Sequence, residues 1–349
     1  MNSRNRIFAL DLLRFAAAFA VVLYHYLARP GSDFGTFTEL SRFGYLGVPV
    51  FFMISGYVIA MSAQGRTAYQ FGVSRFARLY PGLWAGLLFT VMAVYAIEGE
   101  LPDPVQLATN AMLINDYVGQ PDIDGVYWTL HVELKFYACV FLLVATGLFS
   151  KFRIWLSAWL LMTIFHFLTG QPSFMGWFIN PSWSPYFIAG VSMHLIGQHG
   201  VDRFSVSVYA VSVALCAYQS FNIAGNFISV ESQIEPTISS IVVVISAFTL
   251  LAIANQVITV RGASWIATMG AMTYPLYLIH NRVGKAIIDG PLSGMSEGIA
   301  VPATTILIIV FAYLIYRFIE RPAGNAVRQF GFSLPYQISG RETPAREQA

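Results

Sequence analysis

Apolar stretches broken by short polar segments fill the chain from about residue 8 to 318. Cut at charges, prolines and polar clusters, they resolve into ten runs, approximately 8–28, 43–63, 79–97, 127–149, 154–170, 183–198, 204–224, 237–257, 265–288 and 299–318. A bilayer core about 30 Å thick takes about 20 residues of helix, so each run predicts one membrane span. The fifth and sixth are divided only at the breaker cluster TGQPSF to NPSWSP, because 154–201 holds no Asp, Glu, Lys or Arg; nine or eleven spans fit the same pattern. Spans must satisfy their own backbone hydrogen bonds in lipid, which makes the expected fold class an all-α polytopic helical bundle. The first run is too long for a signal peptide's apolar core and no small-residue cleavage site follows, so it is expected to persist as a signal anchor. Residues 1–330 are expected to form one transmembrane domain, and 331–349 a short polar disordered tail.

Composition agrees. Hydrophobic residues make up 56% of the 349 and charged residues only 11%, against about 25% charged in an average soluble domain. That leaves too little charge to cover a water-facing surface, so the bilayer itself is the first partner. A net charge of +2 with scattered basic residues offers no polybasic face, and nucleic acid is not an expected partner. Cys139 and Cys216 stand singly in apolar runs, without metal-ligand spacing, and no metal is expected.

Lys and Arg concentrate in cytoplasmic loops, whereas Asp and Glu carry little weight in that bias. Ten spans with the N-terminus inside place Arg4, Arg6, Arg66, Arg75, Arg78, Lys151, Arg153, Arg203, Arg261 and every arginine from Arg317 onward in the cytoplasm. Only Arg29, Arg42, Arg282 and Lys285 then lie outside. The loop 98–126 carries Glu98, Glu100, Asp103, Asp116, Asp122 and Asp124 with no Lys or Arg, and is expected to face away from the cytoplasm. Both termini are expected in the cytoplasm.

Apart from Arg282, Lys285 and Arg317 towards the ends of their runs, counted with the loops, four charges fall inside spans: Asp11, Arg14, Glu133 and Lys135. Each costs about 2.5–3.5 kcal/mol at a helix centre unless it finds a partner or a wet cavity. In LDLLRFAAAFAVVLYHY, Asp11, Arg14 and His25 lie at offsets of three and eleven residues. Eleven residues turn about 1,100°, some 20° past three full turns, so all three project from nearly one face, with Arg14 and His25 about 16 Å apart along the axis. A polar line thus crosses much of the membrane; the structural alternative is an Asp11–Arg14 pair with a hydrogen-bonded core histidine. In VYWTLHVELKFY, Glu133 lies at a depth comparable with His25, and the two are placed to meet; Tyr137 shares its face. Lys135 points elsewhere, on the face of His131. Arg75 and Arg78, three apart before an apolar run, would form a two-pronged anion site on a helix end, or a plain positive-inside anchor. Ser55 and Gly56 suit close helix packing. Tyr274, Tyr277 and His280 follow Pro275 at helical spacing and either line the same cavity or form an aromatic belt.

Together these segments resemble the acyltransferase 3 family of multi-span membrane proteins, which transfer acyl groups, most often acetyl, to carbohydrate hydroxyls. The basic residue and histidine of the family's first span are matched by Arg14 and His25, and its FFxxSGY-like block by Phe51, Phe52, Ser55, Gly56 and Tyr57. Its Arg pair is matched by Arg75 and Arg78, and its Trp-Ser-Leu block by Trp128, Thr129, Leu130, Val132, Glu133, Phe136 and Tyr137. Thr273 to His280 match a late SYPLYLxH-like block. Threonine at 129 and 273 replaces the commoner serine but keeps the hydroxyl. The likeness runs from about residue 6 to 325. Many relatives append an extracytoplasmic hydrolase-like domain, and none is expected here.

The resemblance implies an acyl-CoA co-substrate, acetyl-CoA above all, held from the cytoplasm by Arg75 and Arg78, and a carbohydrate or glycoconjugate acceptor. His25, with an unperturbed pKa near 6.5, is the best base, and Glu133 would orient it as a carboxylate does in hydrolase triads. Alternatively His25 accepts the acyl group itself. Arg14 would position the donor or stabilise negative charge, with Asp11, Ser55, Trp128, Tyr137, Tyr274 and His280 in support. The expected location is a bacterial inner membrane. A proton-coupled transporter or flippase of a small polar solute or lipid-linked sugar also suits buried Asp, Arg, His, Glu and Lys. It predicts half-to-half symmetry, of which the sequence carries none.

Overall fold

The computed structural model describes residues 6–29, 32, 34–170, 176 and 178–339, with side chains described as far as 333. Every regular element among them is helical: α1 (Phe8–Leu27), α2 (Thr36–Ser41), α3 (Gly47–Ala63), α4 (Ala68–Glu98), α5 (Pro104–Met112), α6 (Trp128–Ala145) and α7 (Phe152–Thr169), then α8 (Ser184–His199), α9 (Arg203–Ile223), α10 (Ile234–Ala254), α11 (Ser264–Asp289), α12 (Glu297–Ile315) and α13 (Arg321–Ser339). Among the described residues eight stretches are long and apolar enough to cross a membrane: α1, Thr36–Ala63, α4, α6, α7, Arg203–Asn226, α10 and Glu297–Ser333. The other two expected spans are helical too. α8 has only 16 residues, and α11, with 26, carries Arg282, Lys285 and Asp289 near its end. Part of the breaker cluster (171–175 and 177) and the tail beyond 339 lie outside the described residues.

Two compact units divide the chain: residues 1–64 with 132–271, and residues 65–131 with 272–349. In the first, α8 is the core, and every residue from Ser184 to Ile196 is buried. It lies directly on α3 because both helices present glycine at the crossing. A Cβ on Gly190 would stand 2.0 Å from the Met53 carbonyl oxygen, and one on Gly56 2.2 Å from that of Phe187. Such small-residue crossings let backbones approach and gain dispersion contacts that lipid cannot supply. Around the crossing Phe187 packs on Phe52 (centroids 4.9 Å apart) and on Phe136 (4.4 Å).

In the second unit α4 begins eleven residues before the apolar run that predicted it. Thr67 caps it reciprocally with Gln70: the Thr67 hydroxyl accepts from Gln70 N at 3.2 Å, and the Gln70 side chain accepts from Thr67 N at 3.1 Å. The added turns are of mixed polarity and pack on α13, where the Tyr69 hydroxyl donates to Gly331 O at 2.8 Å. Pro81 lies inside α4 without ending it. It has no N–H for the Ala77 carbonyl, and the chain of α13 comes close there, since a Cβ on Gly324 would sit 2.8 Å from that oxygen.

The acidic segment 98–126 holds more structure than a loop. α5 is capped by Asp103, which accepts from Val105 N at 2.8 Å, and the segment is pinned by fully buried Asp124. The Asp124 carboxylate accepts from Asn281 Nδ2 (2.8 Å), Arg282 N (2.9 Å) and Val126 N (3.2 Å). Burial pushes its pKa up, against those three bonds and the Lys285 charge. The native state therefore holds this proton more tightly than the unfolded chain, and the group's contribution to stability grows as pH falls towards the ordinary aspartate value. Asp124→Asn is expected to remove that slope and lower the melting temperature at pH 7, because an amide accepts through one oxygen only. Thermal melts of both proteins across pH 4–8 check it; parallel curves would refute it.

Candidate active site

α1 is one unbroken helix through both Arg14 and His25, so the two occupy one face about 16 Å apart along its axis. Each is half-buried. The His25 end is fixed by aromatic packing: Tyr24 lies edge-on to the His25 ring at 4.9 Å, and its hydroxyl donates to Phe227 O at 2.6 Å. Tyr45 stacks on Phe227 at 4.7 Å and bonds Ser239 Oγ at 2.8 Å. Within a turn of His25 opens a cleft of about 660 Å³, lined by Ala28, Arg29, Thr38, Arg42, Asn226 and Ser229 among others. At the opposite end of α1, buried Asp11 takes a 2.5 Å bond from Arg6 Nε, and Arg6 Nη2 donates to Ala267 O at 2.7 Å. The sequence reading treats Arg6 only as a topological charge. It anchors α1 to the first turns of α11.

Glu133 is tied to two other expected residues. Its Oε1 accepts from Ser55 Oγ at 2.6 Å and from the Tyr137 hydroxyl at 2.7 Å. Two donors on one oxygen hold the carboxylate in position. Ser55 thus does more than permit packing: its hydroxyl links α3 to α6. Lys135 Nζ reaches Gly176 O at 3.4 Å, away from this pair.

The second unit holds Arg75, Arg78, Trp128, Tyr274 and His280. Arg78 Nη1 pairs with Glu320 Oε1 at 2.5 Å, and its guanidinium lies over the Tyr274 ring at 5.3 Å from the centroid. The Tyr274 hydroxyl donates to Leu79 O at 2.9 Å. Arg75 lies over Phe71 at 5.8 Å and donates to Ser74 Oγ at 3.1 Å. Trp128, at the start of α6, is half-buried; the neighbouring Thr129 hydroxyl donates to the Tyr277 hydroxyl at 3.1 Å. His280 is fully buried, with Nδ1 2.8 Å from Tyr277 O. Among these residues Tyr274 shares the Arg78 cluster, whereas His280 and Tyr277 are joined to each other. His131 engages Asp122 at 3.0 Å through Nε2, a structural pair.

Glu320 escapes sequence reasoning, which ends the last span at 318. It closes a π-helical turn, Tyr316–Glu320, between α12 and α13. That turn leaves Phe318 and Ile319 exposed and turns Glu320 inward to 5% exposure. Wide turns of this kind recur at functional sites. The signal in the sequence is an acid within FIERP, at the end of a long apolar helix.

A family model described as an acyltransferase domain matches residues 7–317. The chain belongs to the acyltransferase 3 family. Two relatives of like sequence carry acyltransferase names. Acyltransferase MdmB of Streptomyces mycarofaciens is 25% identical, with 99% of this chain and 97% of the relative covered. O-acetyltransferase OatA of Staphylococcus aureus (strain NCTC 8325 / PS 47) is 26% identical over 95% of this chain, which spans 59% of that relative's length. Nodulation protein 10 of Rhizobium leguminosarum bv. viciae is 29% identical over 36% of this chain and 41% of its own. No solved structure matches the chain. With its membrane-length helices, this acyltransferase 3 protein is an integral membrane acyltransferase. Among the described residues no three His, Cys, Asp or Glu side chains are grouped as a metal site.

Proposed function

We propose that the protein transfers an acyl group, acetyl foremost, from acyl-CoA to a hydroxyl of a carbohydrate or glycoconjugate, in a bacterial inner membrane with both termini in the cytoplasm. The observation that carries this reading is the unbroken α1, which holds Arg14 and His25 on one face in a family of acyltransferases. The likeness to OatA, an O-acetyltransferase, supports acetyl and an oxygen acceptor. The polar lining of the cleft beside His25 suits an acceptor rich in hydroxyls. The charge asymmetry of the loops supports the orientation.

In the proposed step His25 takes the proton of the acceptor hydroxyl while that oxygen attacks the thioester carbonyl. The C–O bond forms, the C–S bond breaks, and the departing thiolate takes the proton from the imidazolium. Glu133, held by Ser55 and Tyr137, is the fixed negative charge that stabilises the imidazolium. Arg14, about 16 Å from His25 along α1, positions the donor on its way to the imidazole. Arg75 and Arg78 hold the phosphates of the donor, whose acyl thioester is the reacting group. Their chemistry fits, because guanidiniums bind phosphate oxygens bidentately and Glu320 and the Tyr274 ring already fix Arg78.

Membranes containing the protein, incubated with radiolabelled acetyl-CoA, are expected to place label in an extractable glycan or glycoconjugate fraction. Absence of label from every fraction, with solute uptake instead, would favour a transporter. A double Arg75→Gln, Arg78→Gln variant is expected to raise the apparent KM for donor about tenfold or more with a smaller change in kcat. An unchanged donor dependence would return the pair to a topological role.

A further inference from the structure

The surroundings of the Arg75–Arg78 pair contain more positive charge than the pair itself. α13 lies on the first turns of α4 through two glycines. A Cβ on Gly331 would meet Val73 Cγ1 at 2.6 Å, and one on Gly324 would stand 2.8 Å from Ala77 O and 4.0 Å from Arg328 Nη2. Residues 324, 328 and 331 share one helix face, so Arg328 emerges between those glycines, beside the turn that carries Arg75 and Arg78. It is half-buried, donates to Asn325 Oδ1 at 3.1 Å, and lies within electrostatic reach of Arg66, Arg75, Arg78 and Glu320. Arg66, just before the cap of α4, is within reach of Arg75.

Arg66, Arg75 and Arg78 thus lie within electrostatic reach of Arg328, and Glu320 pairs with Arg78 and lies within reach of Arg328. Like charges this close repel, more strongly where the site is partly shielded from water. Glu320 offsets one of them through Oε1. Its Oε2, in a side chain 6% exposed, has no hydrogen-bond partner, and so presents an orphan acceptor inside a cationic cluster. A ligand that brings several negative charges together with a hydrogen-bond donor would satisfy both features at once.

We propose that Arg66 and Arg328 complete, with Arg75 and Arg78, a four-arginine site for clustered phosphate groups, in which Glu320 holds Arg78 and accepts a hydrogen bond from the ligand. This rests on the reading of Arg75 and Arg78 as donor-binding and extends it to the nucleotide end of the donor, whose separate phosphates call for more than two prongs. The same phosphate chemistry has a second source in anionic phospholipid headgroups.

The test uses the full-length protein in nanodiscs of neutral phosphatidylcholine, with adenosine 3′,5′-bisphosphate and AMP as probes. Arg328→Gln and Arg66→Gln are each expected to weaken bisphosphate binding about tenfold, the worth of one charge-assisted contact, and AMP binding less. Arg328→Lys is expected to recover part of the loss, and unchanged melting and gel-filtration profiles would show that the variants fold. Unaltered bisphosphate affinity with loss of co-purifying phosphatidylglycerol would keep the phosphate site and assign it to lipid. No change in either would overturn the proposal. Acetyl transfer is assayed separately: bisphosphate binding that depends on Arg328 in a protein without transfer would sink the enzymatic reading and leave the site standing.

Discussion

His25→Ala is expected to lower acetyl transfer at least about a hundredfold while the protein still inserts and purifies as a folded species. General-base catalysis contributes roughly 10²–10⁴-fold. His25 also lies at the end of a helix whose packing is carried by others, namely Tyr24 on Phe227 O and Tyr45 on Phe227 and Ser239. Insertion depends on the apolar run Phe8–Leu27, which an alanine only extends. Transfer from labelled acetyl-CoA measures the effect, and full activity in the variant would remove the mechanism. The wild-type protein, quenched during turnover, separates the two roles open to the imidazole. Label that stays with the protein and chases into product would make His25 an acyl carrier, and its absence leaves His25 as a base.

Gly190→Val should have the largest effect on stability. The position of its Cβ is already 2.0 Å from Met53 O, 2.7 Å from Tyr57 N and 2.9 Å from Gly56 Cα, all backbone atoms that no rotamer change can move. α3 and α8 would have to separate, loosening the ring contacts of Phe187 with Phe52 and Phe136 as well. Overpacking a core costs typically 1–3 kcal/mol, and against backbone on both sides about 3 kcal/mol or more. Fluorescence-detected gel filtration after heating is the measurement. Gly298→Ala is the control, since nothing lies within 4 Å of the Cβ it adds. Equal melting of the two variants would show that the crossing tolerates a side chain.

How far the sequence reaches depends on the kind of information each feature needs. Hydropathy locates α1, α3, α6 and α7 to within a few residues because an apolar run of membrane length has few other uses. It misses the start of α4: Thr67 to Arg78 mixes Gln, Ser and Arg with aromatics, and these turns are helical because a capping box starts them and α13 covers them. Periodicity places Arg14 with His25, and Glu133 with Tyr137, since partners along one helix are fixed by 3.6 residues per turn. It has nothing to say about Arg6 with Ala267, 261 positions apart, or Arg78 with Glu320, 242 apart. Glu320 was invisible for a further reason: its inward direction comes from a single wide turn, which a regular helical wheel does not contain.

The length of α4 has its own consequence. Its 31 residues rise about 46 Å, some 16 Å more than a typical hydrocarbon core, and the surplus includes the docked turns with Arg75 and Arg78. These guanidiniums therefore ride on a rod whose depth is set by where its apolar middle settles. Hydrophobic mismatch becomes a lever on the enzyme: lipids with longer or shorter acyl chains shift the arginines relative to the headgroup plane without altering one contact of the protein.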